Sequence, residues 1–259
     1  MPHIFTLHPP FTPFLTTPQR QSQSLGITQQ PKMPALPSIY LVGVQCQAQD
    51  DLASAPKSFF THNQDEIQGA PFPPPTLIEG AADQIIGRRG PRPRDPPELQ
   101  RMQHNILEVQ AAAGRKVLDQ GENKWFISNG SGAEHVVYAV RYSPSDSDSP
   151  RIMGAEKWTE LRGRMQKALV VLTQGLVSAA DAAQRRDRLL GTAEEEGGPD
   201  QDAKDLTGFQ ENLRMFLVGQ EISFVELPAE STRADSMFIE MEMSRMVKWV
   251  VEMWERKRA

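Results

Sequence analysis

The chain has 259 residues and a formal net charge of −5 at pH 7, with 28 basic and 33 acidic side chains. This balance argues against a general nucleic-acid binder and against a protein that binds anionic membranes through a basic face. The single cysteine, Cys46, excludes an internal disulfide framework and a zinc site built on cysteines.

Proline divides the sequence in two, because 17 of the 21 prolines lie at or before Pro97. Proline fixes φ and removes a backbone donor, so we expect no continuous helix and no central strand in residues 1–97. We predict that residues 1–97 are a largely disordered, Pro-rich N-terminal region. Within it, residues 39–44 are β-prone and form either a strand added to the core or an isolated segment.

The first 49 residues contain neither Asp nor Glu. Acid-poor N-termini occur in mitochondrial transit peptides, but this segment can also be a disordered tail, or sequence upstream of a true start at Met33. There is no basic-then-apolar secretory signal, and no apolar run reaches the length of a membrane span. We therefore predict an intracellular protein of the cytoplasm or nucleus, with the mitochondrion as the alternative.

A run of prolines follows Phe72 and favours a polyproline II conformation. Such Phe-Pro-rich segments resemble the ligands of EVH1 domains, which read a preformed polyproline helix. The residues that would bind a partner in this way are Phe72, Pro73, Pro74 and Pro75. The alternative is a stiff spacer.

After Pro97, apolar side chains recur every three or four residues from Leu99 to Val117, which predicts a helix that ends at Gly121. Residues 124–128 and 133–142 are β-prone and flank the turn-rich Asn129-Gly130-Ser131-Gly132. This pattern predicts a β-hairpin at 124–142.

The remaining sequence predicts three more helices. The second helix starts near Ala155 and extends to about Leu176, and an Ala-rich segment at 178–190 either continues it or turns back against it. An acidic linker at 191–202 precedes the third helix at 205–218. Residues 222–227 are extended or a short strand, and the last helix opens with a capping-box pattern at Thr232. The fold class is therefore mainly α, with residues 98–259 forming a bundle of about four helices and one attached hairpin.

The string from Gly121 to Gly130 contains Lys124, Trp125 and Ile127 and is followed by an apolar segment. It resembles the middle-domain strand pair of acyl-CoA dehydrogenases. The resemblance implies that Phe126 and Ser128 contact a flavin, although no catalytic glutamate is identified in this chain. The alternative is a structural hairpin.

The last helix contains five methionines and two tryptophans. Methionine adapts to different partners, so this helix is a candidate partner groove or dimer seam. The candidate residues are Met243, Met246, Val250 and Met253. The alternative is an ordinary core helix.

Catalytic motifs are sparse: there is no histidine pair at i, i+4, no G-x-S-x-G and no phosphate-binding glycine loop. We predict a non-enzymatic helical protein-interaction or scaffold module without cofactor or metal, which binds a protein partner or itself through the last helix. Nucleic acid is not an expected partner. The alternatives are a divergent or truncated flavin-dependent acyl-CoA dehydrogenase-like protein and a mitochondrial assembly factor.

Overall fold

The structure is a computed structural model, and it describes ten parts of the chain. These are residues 35–43, 47–63, 67, 72–82, 84–85, 96–121, 124–142, 152–173, 199–227 and 236–259. All of them lie in one compact unit, Pro34–Ala259.

Short strands alternate with helices along the described chain. The strands are β1 (Ile39–Val42), β2 (Thr76–Ile78), β3 (Phe126–Asn129), β4 (Leu169–Leu172) and β5 (Val225–Glu226). The longer helices are α1 (Gln47–His62), α2 (Pro96–Leu118), α3 (Ala133–Tyr142), α4 (Glu156–Met165), α5 (Pro199–Gly219) and α6 (Ser236–Arg258). Such alternation is typical of an α/β fold with a parallel sheet.

The strands form one sheet in the order β2-β3-β1-β4-β5, and every pairing is parallel. Strand β1 lies in the middle, and its side chains are buried on both faces. Tyr40 and Val42 point to one layer of the core, and Ile39 and Leu41 point to the other. Helices α2, α3, α4 and α5 cover the first face, whereas α1 and α6 cover the second.

The predicted helical bundle is wrong, because the centre of the molecule is this parallel sheet. The clearest case is the second predicted helix, which ends at Met165 and is followed by strand β4. All four residues of β4, Leu-Val-Val-Leu, are buried. Strands buried on both faces carry continuous apolar runs, and periodicity alone does not distinguish such a run from a buried helix.

The predicted hairpin at 124–142 is also wrong. Strand β3 pairs in parallel with β1 and β2, and residues 133–142 form helix α3. The reason is a capping box that starts this helix. Ser131 Oγ accepts from the Ala133 N–H at 3.1 Å, and Glu134 Oε2 accepts from the Ser131 N–H at 3.1 Å.

The expectation that residues 1–97 hold no helix and no central strand is wrong as well. They contain the central strand β1, the edge strand β2 and the 16-residue helix α1, which has Pro56 in its interior. A proline within a helix removes one hydrogen bond, and burial of the apolar face of α1 offsets that loss. Pro75 directly precedes β2, where an edge strand tolerates proline.

Several predicted elements are confirmed. Helices α2, α5 and α6 occupy three of the predicted helical regions, and β5 lies within the segment predicted as extended. The Ala-rich segment 178–190, the acidic linker up to residue 198 and the capping box at Thr232 lie outside the described residues. Within the described part of the chain, none of the helices has the length and apolar character needed to cross a membrane.

Candidate functional site

The strand order places a topological switch point at the carboxyl edge of the sheet, which is where α/β folds have their ligand crevice. Strand β1 is followed in sequence by β2 on one side of the sheet, whereas β4 is followed by β5 on the other side. Because β1 and β4 are neighbours, their connections leave in opposite directions. In open α/β sheets, ligands bind outside the carboxyl ends of the strands at such a switch point. The residues that follow β1, β3 and β4 therefore define the candidate site.

Gly43, directly after β1, is held against Thr173, directly after β4. A Cβ atom at Gly43 would lie 2.3 Å from Thr173 Oγ1, which is closer than any real contact. Thr173 fixes this approach by donating to the carbonyl of Val42, from its backbone N–H at 2.8 Å and from its hydroxyl at 3.1 Å. A side chain at Gly43 would therefore have to displace Thr173.

Gly43 follows a strand and precedes a helix, as the first glycine of a phosphate-binding P-loop does, but the other three fixed positions of that motif are not matched. That motif reads G-x-x-x-x-G-K-[S/T] between a strand and a helix; its backbone N–H groups and lysine hold phosphates and its hydroxyl holds Mg²⁺. In this chain the last three positions are Ala48, Gln49 and Asp50. Strand β1 ends before Gly43 and helix α1 begins at Gln47, whereas the second glycine, the lysine and the hydroxyl of the motif are replaced by an alanine, an amide and a carboxylate.

The carboxylate of Glu134 bonds to the backbone at the end of β1. Its Oε1 accepts from the Gly43 N–H at 3.3 Å, and its Oε2 accepts from Ser131, at 3.1 Å from the N–H and 2.8 Å from the hydroxyl. The Glu134 residue is only 6% exposed. Burial raises the pKa of the Glu134 carboxyl, and the hydrogen bonds from Ser131 and Gly43 offset this rise in part.

Three polar side chains join the ends of β1 and β3. Leu41 of β1 lies opposite Asn129 of β3, and the carbonyl of Leu41 accepts from Gln49 Nε2 at 3.1 Å. Asn129 Nδ2 donates to the carboxylate of Asp50. Both amides are buried, with Gln49 0% and Asn129 4% exposed, while Asp50 is partly exposed. Within the described chain, Gln49 Oε1 and Asn129 Oδ1 have no hydrogen-bond partner.

The turn after β3 is held by a further buried amide. Gln110 of α2 donates from Nε2 to Ser128 Oγ at 2.7 Å and to the carbonyl of Gly130 at 3.2 Å. Ser128 Oγ in turn donates to the Gly130 carbonyl at 2.7 Å. These bonds fix the positive-φ turn at Gly130 (φ 98°) that delivers Ser131 and Glu134 to the edge.

The two residues predicted to contact a flavin are buried structural residues. Phe126 is 1% exposed and makes an edge-on ring contact with Tyr40, with centroids 5.3 Å apart. Ser128 is fully buried in the turn network. Since residues 133–142 are helical, β3 has no antiparallel partner there, and the strand pair implied by the acyl-CoA dehydrogenase resemblance is not formed.

The Phe-Pro segment lies against the second face of the sheet. Phe72 is 4% exposed and packs with Phe60, Trp125 and Trp254. The carbonyl of Pro73 accepts from Trp125 Nε1 at 2.7 Å. Pro74 is exposed and Pro75 is buried. The aromatic side chain of this segment is therefore part of the core.

The candidate residues of the last helix divide into two groups. Met246 and Val250 are buried against the sheet, whereas Met243 and Met253 are partly buried at the edge of that cluster. Met243 lines an open groove of about 420 Å³ between α1 and α6. The other lining residues are Ala55, Ser58, Phe59, His62, Asn63, Ser244, Val247 and Lys248.

The sequence reasoning missed Gln49, Asp50, Asn129 and Glu134. One signal was present in the sequence: Ser131-x-x-Glu134 is a capping-box signature. In the described residues, no group of three or more His, Cys, Asp or Glu side chains could hold a metal ion. None of the protein-family models matches the chain, and no curated protein is similar to it in sequence.

Proposed function

We propose that this chain is a non-enzymatic α/β interaction module whose carboxyl-edge crevice does not bind phosphate. One observation carries the proposal: the first backbone donor after β1, the Gly43 N–H, is bonded to the chain's own carboxylate at Glu134. In a P-loop, backbone N–H groups of this loop bind the phosphate anion. Here a buried carboxyl group of the protein occupies that donor.

The charges around the crevice support the same conclusion. Asp50 stands where the P-loop hydroxyl would bind Mg²⁺, and Gln49 stands where its lysine would neutralise phosphate. Two like charges about 4 Å apart near a protein surface repel by about 4 kcal/mol. A phosphate that approached the Asp50 carboxylate would meet repulsion, whereas the lysine and the Mg²⁺ of a P-loop supply attraction.

Calorimetric titration with ATP and Mg²⁺, together with an assay of phosphate release, tests this proposal. We expect neither binding nor hydrolysis by the wild-type chain. We also expect the Glu134→Ala variant, which frees the Gly43 N–H, to bind inorganic phosphate more tightly than the wild type does. Saturable binding of MgATP to the wild type, weakened by Glu134→Ala, would show that the carboxylate takes part in binding, and would overturn the proposal.

The partner surface that we propose is the groove between α1 and α6. Phe59, Met243 and Val247 supply its apolar lining, and His62 and Lys248 lie among its polar lining residues. A groove of this kind accepts an apolar side chain of a protein partner or of a second copy of the chain. Met246 and Val250 do not line the groove; they are buried in the core and support the fold.

Two variants of α6 test this surface. Met243→Glu places a charge in the groove, whereas Glu252→Lys alters an exposed residue of the same helix that does not line the groove. We expect Met243→Glu to lose self-association in sedimentation velocity, or specific co-purifying proteins in quantitative affinity purification. Glu252→Lys should retain them, and circular dichroism should show both variants folded. Equal association of the two variants would refute the proposed surface.

The compartment and the two alternative functions stay predictions. The acid-free segment before Asp50 motivates a mitochondrial location, and residues 1–34 of it lie outside the described residues. Sequencing the N-terminus of the protein isolated from cells tests this location: an intact Met1 with cytosolic fractionation excludes the mitochondrial assembly factor. A purified protein that takes up no flavin excludes the acyl-CoA dehydrogenase-like function.

A further inference from the structure

The groove between α1 and α6 presents apolar side chains that remain in contact with water. Ala55, Phe59 and Met243 line it and are only partly buried. Val247, which is 6% exposed, completes the apolar lining, and the Phe59 ring is held by an edge-on contact with Phe60, with centroids 6.2 Å apart. A ligand that removes these side chains from water gains free energy. The groove therefore favours a ligand with a large apolar side chain.

The lining residues that can carry a charge are both basic. They are His62 of α1 and Lys248 of α6, one from each helix that forms the groove. Asp51 and Glu252 lie about one helical turn from lining residues of these helices, but neither of them lines the groove. The chain as a whole has a net charge of −5, so the basic character of this lining departs from the overall composition.

Both basic groups are accessible to a ligand. Lys248 is exposed, and the ion pairs among the described residues do not include it. His62 is exposed as well, and its Nδ1 lies 2.8 Å from the Ser58 carbonyl. Because a carbonyl only accepts, Nδ1 carries a proton, and Nε2 is the ring nitrogen that can meet a ligand. An ammonium group and a protonated imidazole pair with carboxylates.

A second copy of the chain fits this groove less well than a segment of another protein. A twofold contact centred on the groove would set two concave surfaces against each other, each lined by His62 and Lys248. Neither surface would fill the other, and like charges would face each other. A peptide segment can instead insert an apolar side chain between the two helices and place carboxylates beside the basic groups.

We propose that the groove binds an acidic peptide segment of a protein partner, in which large apolar side chains are flanked by Asp or Glu. The apolar side chains pack against Phe59 and Met243, and the flanking carboxylates pair with Lys248 and with protonated His62. This inference rests on the proposed interaction function and adds the chemistry of the partner. It does not depend on the exclusion of phosphate from the carboxyl edge of the sheet.

A set of matched peptides tests the proposal on the full chain, with binding followed at the methyl groups of Met243 and Val247 in ¹H–¹³C spectra. The acidic probe is the acetylated, amidated peptide EELFEE, and its analogues are QQLFQQ, KKLFKK and EESSEE. We expect saturable shifts with EELFEE and a dissociation constant about fivefold lower than that of QQLFQQ. The lysine peptide should bind more weakly than both, and EESSEE, which lacks the apolar pair, should not bind.

Lys248→Glu and Lys257→Glu are matched charge reversals on α6. Lys248 lines the groove, whereas Lys257 lies about 14 Å further along the helix axis, beyond the screening length of about 8 Å at physiological salt. We expect Lys248→Glu to weaken EELFEE binding about tenfold and to strengthen KKLFKK binding. Lys257→Glu should change either affinity by less than about twofold. Circular dichroism should show that both variants are folded.

The outcomes separate this inference from the proposed function on which it rests. Equal binding of EELFEE, QQLFQQ and KKLFKK would refute an acidic partner and leave the groove as a partner surface, and so would equal effects of the two charge reversals. If no peptide binds and Met243→Glu still abolishes self-association, the groove binds a second copy and the inference is wrong. If no peptide binds and Met243→Glu changes no association, both the inference and the proposed surface fail.

Discussion

The backbone N–H of Gly43 donates to the buried carboxylate of Glu134 at 3.3 Å, across a sequence separation of 91 residues. This bond ties the end of the central strand β1 to the first turn of α3, and the same carboxylate completes the capping box of that helix through Ser131. One side chain therefore starts a helix and occupies a backbone donor at the crevice. Its environment predicts a specific response to substitution and to pH.

Glu134→Gln should destabilise the chain by about 1–3 kcal/mol, because its amide nitrogen would face either the Gly43 or the Ser131 N–H and leave donors opposed. The Glu134 pKa is raised in the folded chain, so wild-type stability falls as pH rises from about 4.3 towards that raised pKa. The glutamine variant lacks this loss, and its cost should shrink over the same interval. Urea denaturation of both proteins at several pH values measures the cost of the substitution. A cost that grows with pH would contradict a raised Glu134 pKa.

Two glycine substitutions should have opposite effects on stability. Gly132 has φ of 91°, and a Cβ there would lie 2.9 Å from Leu107 and 3.0 Å from Leu161. Gly132→Ala should therefore cost about 1–3 kcal/mol. Gly163 lies inside α4 with open space around it, so Gly163→Ala should stabilise by about 0.5–1 kcal/mol. Chemical denaturation of both variants measures these changes in stability. Equal effects of the two substitutions would argue against the positive-φ turn at Gly132.

Tyr40→Phe should leave stability unchanged or raise it by about 1 kcal/mol. The Tyr40 hydroxyl is buried without a hydrogen-bond partner in the described structure, and burial raises its pKa. Tyr40→Leu serves as the control, since it removes the ring that contacts Phe126 edge-on and should destabilise. If Tyr40→Phe destabilises by as much as Tyr40→Leu, the hydroxyl has a partner.

Glu160 should contribute to stability only when it is ionised. It pairs with Arg115 at 2.6 Å and with Arg164, and the hydrogen bond from Arg115 is the main reason that its pKa is lowered. Glu160→Gln should cost about 1 kcal/mol or less at pH 7, because the site is partly solvent-exposed. That cost should vanish as pH falls through the lowered pKa, since the wild type then loses the same charge. Denaturation of the wild type and the variant at pH 7 and in acid measures this cost. A cost that does not change with pH would mean that Glu160 stabilises the chain by packing and not by its charge.

The sequence predicts the amphipathic helices well and the sheet poorly. Helices α2 and α6 carry apolar residues every three or four positions, and that pattern depends only on local sequence. Strand β4 is a continuous apolar run, which suits a buried helix as well as a strand. Leu169–Leu172 forms a strand because it pairs with β1, which is distant in the sequence. Local propensity carries no information about such a pairing.

The candidate site was harder to predict than the fold, for the same physical reason. Gln49 bonds to Leu41 at the end of β1, and Asp50 contacts Asn129 only because β1 and β3 pair in parallel. The turn residues Asn129-Gly130-Ser131-Gly132 favour a hairpin locally. The glutamate that follows them at the third helix position reverses that prediction, because it caps a helix.

The proposed function depends most on Glu134 closing the crevice to phosphate. A ¹H–¹⁵N titration of the wild-type chain with inorganic phosphate and then with MgATP, followed at the backbone amides of Gly43 and Ser131, tests this directly. We predict no saturable shift at either amide in the wild type, and a saturable shift at Gly43 in the Glu134→Ala variant. A saturable shift of Gly43 and Ser131 in the wild type would contradict the account and make the crevice a phosphate site.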